Sequence, residues 1–271
     1  LGNKFLANVR ECSALIHVVR CFDDENVVHV DGDVNPIRDI QVINTELFLS
    51  DYDQCQTAID NQKRKIKQND KTELARHDIL QQCLEALSQE TPIRALNLSD
   101  TDYALIKEFN FLTTKKVIYV CNVGEDNLTE DNDYIAAVRA EAAKESAGVA
   151  KLSASFEFEV SSLDDDEKME FLAEYGLNQS GLECLAQECY ALLNLETFLT
   201  TGEKETRAWT ITKGTLAPQA AGVIHTDFEA GFIRANVIDY DTFVKFGNYK
   251  EAKDKGALRQ EGKDYVMKDG D

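Results

Sequence analysis

Two polar residues at the end of one apolar run could do chemistry. Lys115-Lys116-Val117-Ile118-Tyr119-Val120-Cys121 is followed by Asn122-Val123-Gly124-Glu125-Asp126. An apolar run of this length, rich in β-branched residues, reads as a buried parallel strand. In a doubly wound sheet the ligand crevice lies at the carboxyl ends of such strands. Asn122 and Glu125 fall at that end. An Asn side chain can hold a loop and touch a base edge, and a carboxylate accepts from ring or exocyclic N–H groups. An acidic strand-to-helix loop is the other reading these residues allow.

Other candidates lie nearby in type though not in sequence. Val149-Ala150-Lys151-Leu152 reads as a short strand delivering Ser153-Ala154-Ser155. Hydroxyls and backbone N–H groups at its end either meet a base or ribose or cap the next segment of the chain. His29 lies in the Gly- and Pro-marked loop 27–36, after a strand at 13–22. That makes it the His best placed for proton work, with a solvated loop His as the alternative. His17, inside that strand, reads as a core residue. His225-Thr226-Asp227 has no nucleophile beside it and reads as turn chemistry. Lys63, Arg64, Lys65, Lys67 and Lys71 crowd one short stretch against a single acid, Asp70. They can touch phosphate or an acidic partner, or form a solvated face.

The elements that must position these residues fall into three groups. Leu1, Phe5, Leu6 and Val9 share a helical face, and a buried strand at 13–22 follows. Pro36 suits a helix's first turn, and Asp39 suits the positive end of its dipole. Phe48, Tyr52, Cys55, Ile59 and Ile66 recur at four-three spacing, with Gln62 interrupting. Leu74, Leu80, Leu84 and Leu87 continue beyond a turn at 68–71. This predicts an antiparallel helical hairpin zipped by a narrow seam, inserted between two strands of one sheet. Ser99 or Asp100 can cap a short helix reaching Phe109. An Ala-rich helix over 132–147 is expected to end at Gly148, with helices at 164–175 and 180–193 flanking Gly176. From about Glu196, strands at 207–212 and 232–240 and helices at 218–223 and 249–255 suggest a compact α+β module.

Bulk properties narrow the function. The chain has 271 residues, 43% of them hydrophobic, and a net charge of −20. That charge argues against a general nucleic-acid surface such as DNA binding requires. Residues 113–195 carry 6 bases against 17 acids, whereas 196–271 carry 11 against 13. Seven scattered Cys without a Cys-x-x-Cys pair read as buried free thiols in a reducing compartment. The four His show no metal-ligand spacing with them. No signal peptide occurs, and no apolar run nears the roughly 20 residues of a membrane helix. A cytoplasmic monomer with no membrane contact is expected.

The strings LGNKFLANVREC, IHVVRCFDD, VNPIRDIQVINTEL, YVCNVGED, TTGEKETRAWTITKGTLAPQAAGVIHTDFEAGFIRA and LRQEGKDYVMKDGD span nearly the whole chain. Together they resemble the YchF subfamily of Obg-like P-loop NTPases, the Obg-like ATPases. The resemblance implies an α/β fold, a partial Ras-like doubly wound sheet over 1–35 and 113–195. It also implies a coiled-coil hairpin inserted over 36–112 and a C-terminal β-grasp (TGS) domain over 196–271 lacking its last strand. It implies a switch protein that hydrolyses ATP with Mg²⁺ and associates with the ribosome or RNA.

In related GTPases the base reader is Asn-Lys-x-Asp. Here it is Asn122-Val123-Gly124-Glu125, and the resemblance implies that this altered motif relaxes guanine selectivity, admitting ATP while leaving GTP possible. Asn122, Val123 and Glu125 would then read the base, Ser153 and Ala154 would close over it, and His29 would serve hydrolysis. Lys63, Arg64, Lys65 and Lys67 would dock on the partner; without catalysis, that tip and the TGS domain would make a binding scaffold. One departure stands out: no G-x-x-x-x-G-K-[ST] occurs. The resemblance implies an internal piece that lacks its phosphate cradle and binds nucleotide weakly, without hydrolysis.

Overall fold

The computed structural model describes residues 2–30, 32–63, 70–202 and 205–271. They form two compact units that divide between Cys189 and Tyr190. The first carries α1 (Asn3–Glu11), β1 (Ala14–Arg20), α2 (Pro36–Lys63), α3 (Lys71–Ser88), α4 (Asp100–Ile106), β2 (Lys116–Asn122), α5 (Asp133–Ala143), β3 (Gly148–Leu152), α6 (Ala154–Val160) and α7 (Asp165–Glu174). The helix α8 (Gly181–Leu193) runs across the division.

β1, β2 and β3 make a parallel sheet in that order, so β2 is central. Its apolar run explains the placement: Val117 through Cys121 are all buried, as a strand covered on both faces demands. The register aligns Arg20 with Asn122 and Asn122 with Leu152, so the three strands end together. β1 departs from expectation. Leu15 and Val19 turn into the core around Tyr119 and Cys121, but Ile16 and Val18 are 50% and 63% exposed. β1 is one of the sheet's two edge strands, and its outer face is uncovered among the described residues. The sequence reads as a buried run because the apolar residues are there; only the layers decide which face they bury.

α2 and α3 are antiparallel. Cys55, Ile59, Ile79, Leu80, Cys83 and Leu87 form their seam. The Cys55 thiol donates to the Leu80 carbonyl at 3.2 Å. Gln62 does not break the seam: its buried amide donates to the Glu73 carbonyl and carboxylate, both at 3.0 Å. Asp70 caps α3 by accepting from the Thr72 and Glu73 amides, and Ser99 caps α4.

The hairpin's root is tied to the sheet by buried polar groups. Asp51 is 0% exposed. Its carboxylate accepts from Leu112 N (3.0 Å), Thr113 N (2.7 Å), Thr113 Oγ1 (2.8 Å) and Arg10 Nη1 (2.9 Å). Lys115 Nζ holds the carbonyls of Arg10 and Cys12 at the end of α1, at 2.7 and 2.5 Å. Tyr119 donates to Glu145 at 2.5 Å, and Glu145 pairs with Arg94 at the foot of α3.

Some boundaries fall elsewhere than expected. α5 ends at Ala143, and Ser146 takes a left-handed φ of 54°. Gly148 opens β3 instead of stopping the helix; a Cβ there would crowd Ile118 at 3.3 Å. α6 has no counterpart in the sequence reading. Cys21, Cys55, Cys83 and Cys121 are buried, Cys184 and Cys189 half-buried, but Cys12 is exposed, because α1 ends at the surface there.

The second unit pairs β4 (Leu195–Thr201) with β5 (Thr206–Thr212) antiparallel. α9 (Ala217–Ile224) and α10 (Thr226–Ala230) follow. β6 (Ala235–Val237) pairs with β7 (Arg259–Glu261), and α11 (Tyr240–Phe246) and α12 (Tyr249–Asp254) lie between them in sequence. Phe198, Ile211, Ala217, Ala220 and Met267 form its core. Only three residues of the expected 232–240 strand are extended and paired; Asp239 caps α11 through Thr242 N instead. His225 Nδ1 accepts from Asp227 N at 3.2 Å and so starts α10, consistent with a local backbone role.

Candidate nucleotide site at the ends of the central strands

Asn122 closes β2, and Glu125 begins a 3-10 turn, Glu125–Asn127, immediately beyond. Both therefore lie at the carboxyl edge of the sheet, beside the end of β3. The strand ends are stitched before any side chain acts: Cys21 N donates to Asn122 O at 2.8 Å and Val123 N to Leu152 O at 2.9 Å.

Side chains then join the two loops into one rim. Asn122 Oδ1 accepts from Ala154 N at 3.0 Å. Ser155 Oγ donates to Glu125 Oε1 at 3.3 Å, and the Ser153 and Ser155 hydroxyls are 3.0 Å apart. Ser153 is fully buried, whereas Ala154 and Ser155 are exposed. Among the described residues the Asn122 amide nitrogen and the second oxygen of Glu125 have no hydrogen-bond partner. That is one donor group and one acceptor on a shelf, suited to the mixed edge of a purine.

Val123 is 2% exposed as a whole residue and belongs to the core around Tyr119 and Ile135, and its N–H is spent on Leu152.

The floor of the rim is rigid. α8 starts against β3 so closely that a Cβ on Gly181 would lie 2.6 Å from Leu152 Cβ. Glu157, on α6, accepts from Gly181 N (2.6 Å) and Leu182 N (3.3 Å), capping α8. On the other side Asn132 Nδ2 donates to the Cys21 carbonyl at 2.9 Å while Asn132 Oδ1 caps α5. Arg20 lies over the Phe22 ring at 4.7 Å and donates to Phe22 O, Val27 O and Asp24 O, tying down the loop after β1. Arg139 and Lys151 hold the Asp131 carboxyl below the usual range.

His29 belongs to a second cluster. Its Nε2 is 3.0 Å from Asp39 Oδ2, in the first turn of α2. Arg38 Nε approaches the other Asp39 oxygen at 3.7 Å, and Arg38 Nη1 pairs with Asp33 at 2.8 Å. His17 packs against Tyr119, ring centroids 5.4 Å apart. Burial lowers the pKa of its imidazole, against the opposing pull of Asp39 and Glu145. The sequence assigns Asp39 only to the helix dipole; nothing in the order of residues joins positions 29 and 39 across Pro36. Arg64, Lys65 and Lys67 lie outside the described residues, as does the side chain of Lys63. Among the described residues no group of three or more His, Cys, Asp or Glu side chains could hold a metal ion, and no helix is long and apolar enough to cross a membrane.

Comparison with known proteins bears on this geometry. Residues 195–271 match the YchF-GTPase C-terminal family, described as a protein of unknown function. The ribosome-binding ATPase YchF of Escherichia coli O157:H7 is 49% identical over 271 residues, covering 100% of this chain and 74% of the relative. The protein of the same name from Bacillus subtilis is 43% identical over 273 residues, covering 100% and 75%. The solved YchF GTPase of Schizosaccharomyces pombe superposes with a TM-score of 0.86 at 32% identity, covering 100% of this chain and 74% of that one.

Proposed function

The chain belongs to the YchF family, and on that premise we propose that it is the base-reading and docking part of a ribosome-associated nucleotide switch of the Obg-like type. It uses ATP in preference to GTP. The observation that carries this reading is the rim itself: Asn122 Oδ1 bonded to Ala154 N, and Ser155 bonded to Glu125. Two loops from adjacent parallel strands are thereby locked at the edge where α/β sheets take their ligands.

Each side chain has a role. The adenine amino group donates to Asn122 Oδ1, and the Asn122 amide donates to a ring nitrogen. Glu125 holds Ser155 and, through it, the loop that covers the base. A longer carboxylate spent on a serine is a poorer partner for the two N–H groups of guanine than a shorter free one. Ser153 and Ala154 close over the base. His29 assists hydrolysis by placing water or steadying developing charge. Mg²⁺ would accompany the nucleotide; among the described residues no group of three or more His, Cys, Asp or Glu side chains could hold it. The 271 residues contain no Walker-type phosphate loop, so this polypeptide alone binds ATP weakly and does not turn it over.

The hairpin of α2 and α3 is the family's coiled-coil insertion, and residues 196–271 are its TGS domain. Lys63, Arg64, Lys65 and Lys67 are the ribosome-facing cations of the hairpin. The test is made in the full-length protein. Asn122→Ala should weaken ATP binding without unfolding the chain, and exchanging the four cations for Glu should reduce ribosome co-sedimentation and flatten its salt dependence. Unaltered ATP affinity removes the base-reading role, and unaltered co-sedimentation removes the docking role.

A further inference from the structure

His29 and Asp39 come from different parts of the chain. His29 lies in the loop that follows β1, and Asp39 lies one turn into α2, beyond Pro36. A carboxylate can only accept, so at 3.0 Å the His29 Nε2 must carry the proton it shares with Asp39 Oδ2. Nε2 is the ring nitrogen farthest from the backbone, the one with the greatest reach. While it donates to Asp39 it cannot donate to a water or an oxygen on a nucleotide. Asp39 is itself held by the positive end of α2 and by Arg38, which is anchored in turn on Asp33. His17 faces the same carboxylate from β1.

We propose that Asp39 is a positioning residue that restrains His29, so that the hairpin helix sets how often His29 can act. This rests on the catalytic role proposed above for His29. It adds a route by which docking reaches the chemistry. α2 has 28 residues and is about 42 Å long at 1.5 Å per residue. Asp51, twelve residues beyond Asp39, pins it through four hydrogen bonds to Leu112 and Thr113, just before β2, and to Arg10 of α1. A partner pushing the outer end of α2 tilts the helix about Asp51 and moves Asp39 against His29. The ligand's state and the hairpin's position then bias one another.

Two measurements test the restraint. In the 271-residue chain, long-range ¹H–¹⁵N correlation of the imidazoles should show His29 as the Nε2–H tautomer. Asp39→Ala should weaken that signature, while Asp39→Glu keeps it. In the full-length protein, Asp39→Ala should raise kcat for ATP about two- to fivefold with KM unchanged, the release expected from one partly exposed ion pair. Asp39→Glu should stay near the parent, and His29→Ala should lose the activity. If Asp39→Ala does not fold, Asp39→Asn serves, with a smaller rise. A fall in kcat, or no change, in the Asp39 variants while His29→Ala is inactive overturns the restraint alone. Full activity in His29→Ala overturns the catalytic role of His29 and the restraint with it.

Discussion

The root of the hairpin and the rim at the strand ends are both dense in polar groups, and they use them in opposite ways. At the root, Asp51 is buried and saturated by four donors, and Lys115, Arg94, Glu145 and Tyr119 face inward onto one another or onto carbonyls. At the rim, Asn122 and Glu125 each spend one polar atom on the neighbouring loop and keep another in reserve. Saturation marks a joint, because a buried charge without partners is costly. Half-saturation at an open strand end is what the proposed site requires, because the spare atoms lose nothing in water and gain a partner when a ligand arrives. The acidic character of the chain says little about either; the destination of each hydrogen bond does.

If that distinction holds, the largest loss of stability comes from the root. Asp51→Ala strands the Leu112 and Thr113 amides and leaves Arg10 without its carboxylate. It should cost about 3–5 kcal/mol, read as a shift in the urea midpoint. A cost under about 1 kcal/mol would mean that water replaces the carboxylate and the joint is not what it looks like.

Alkaline pH should attack the hairpin seam next. Burial pushes the thiols of Cys55 and Cys83 from the ordinary 9.0 up to about 12. The unfolded chain therefore gives up these protons first. The stability they contribute is complete below pH 9 and is lost as pH rises from 9 toward 12. By pH 10 the loss is about 1.4 kcal/mol per thiol. Thermal melts under reducing conditions should fall over that range, and Cys55→Ala with Cys83→Ala should flatten the decline. A parallel decline in the double variant would place the alkaline weakness elsewhere, with the buried Cys21 thiol, raised by its contact with Cys121 and by burial, next in order and Tyr119 after it.

The rim should answer in binding more than in stability. Asn122→Ala should cost about 1 kcal/mol or less in unfolding yet weaken ATP binding in the full-length protein about tenfold or more. Glu125→Asp should move base preference a few-fold toward guanine in competition assays, by freeing a shorter carboxylate from Ser155. The companion change Val123→Lys, which the Asn-Lys-x-Asp comparison invites, is unsuitable. Val123 is part of the core, and a Lys there would be buried without a partner.

Much of this was legible before any coordinates. The apolar run before Asn122 announced the central strand, and Pro36 and Ser99 announced where helices begin. The four-three spacing from Phe48 to Ile59 and from Leu80 to Leu87 announced the seam. Those signals are local: periodicity, a fixed φ, a side chain that caps its own helix. Other features were not local. β1 looked buried because its residues are apolar, while its exposure depends on which neighbours cover it. α6 and α11 are seven residues each, too short for periodicity to declare. Gly148 looked like a helix stop because glycine serves that purpose often, but Ser146 makes the turn and Gly148 yields room to Ile118. The rim residues were found by type and position, but their bonds to Ala154 and Ser155 join positions some thirty apart. The His29–Asp39 pair has no signature in the order of residues at all.

The most direct test of the base-reading rim is an amide-resolved NMR titration of this chain with ATP, carried to millimolar concentration so that weak binding is seen. Shifts should concentrate at Asn122, Val123, Gly124 and Glu125 and at Ser153, Ala154 and Ser155, with Leu112 and Thr113 at the hairpin root unmoved. Shifts centred on any other part of the chain, or none at these seven amides, would contradict it.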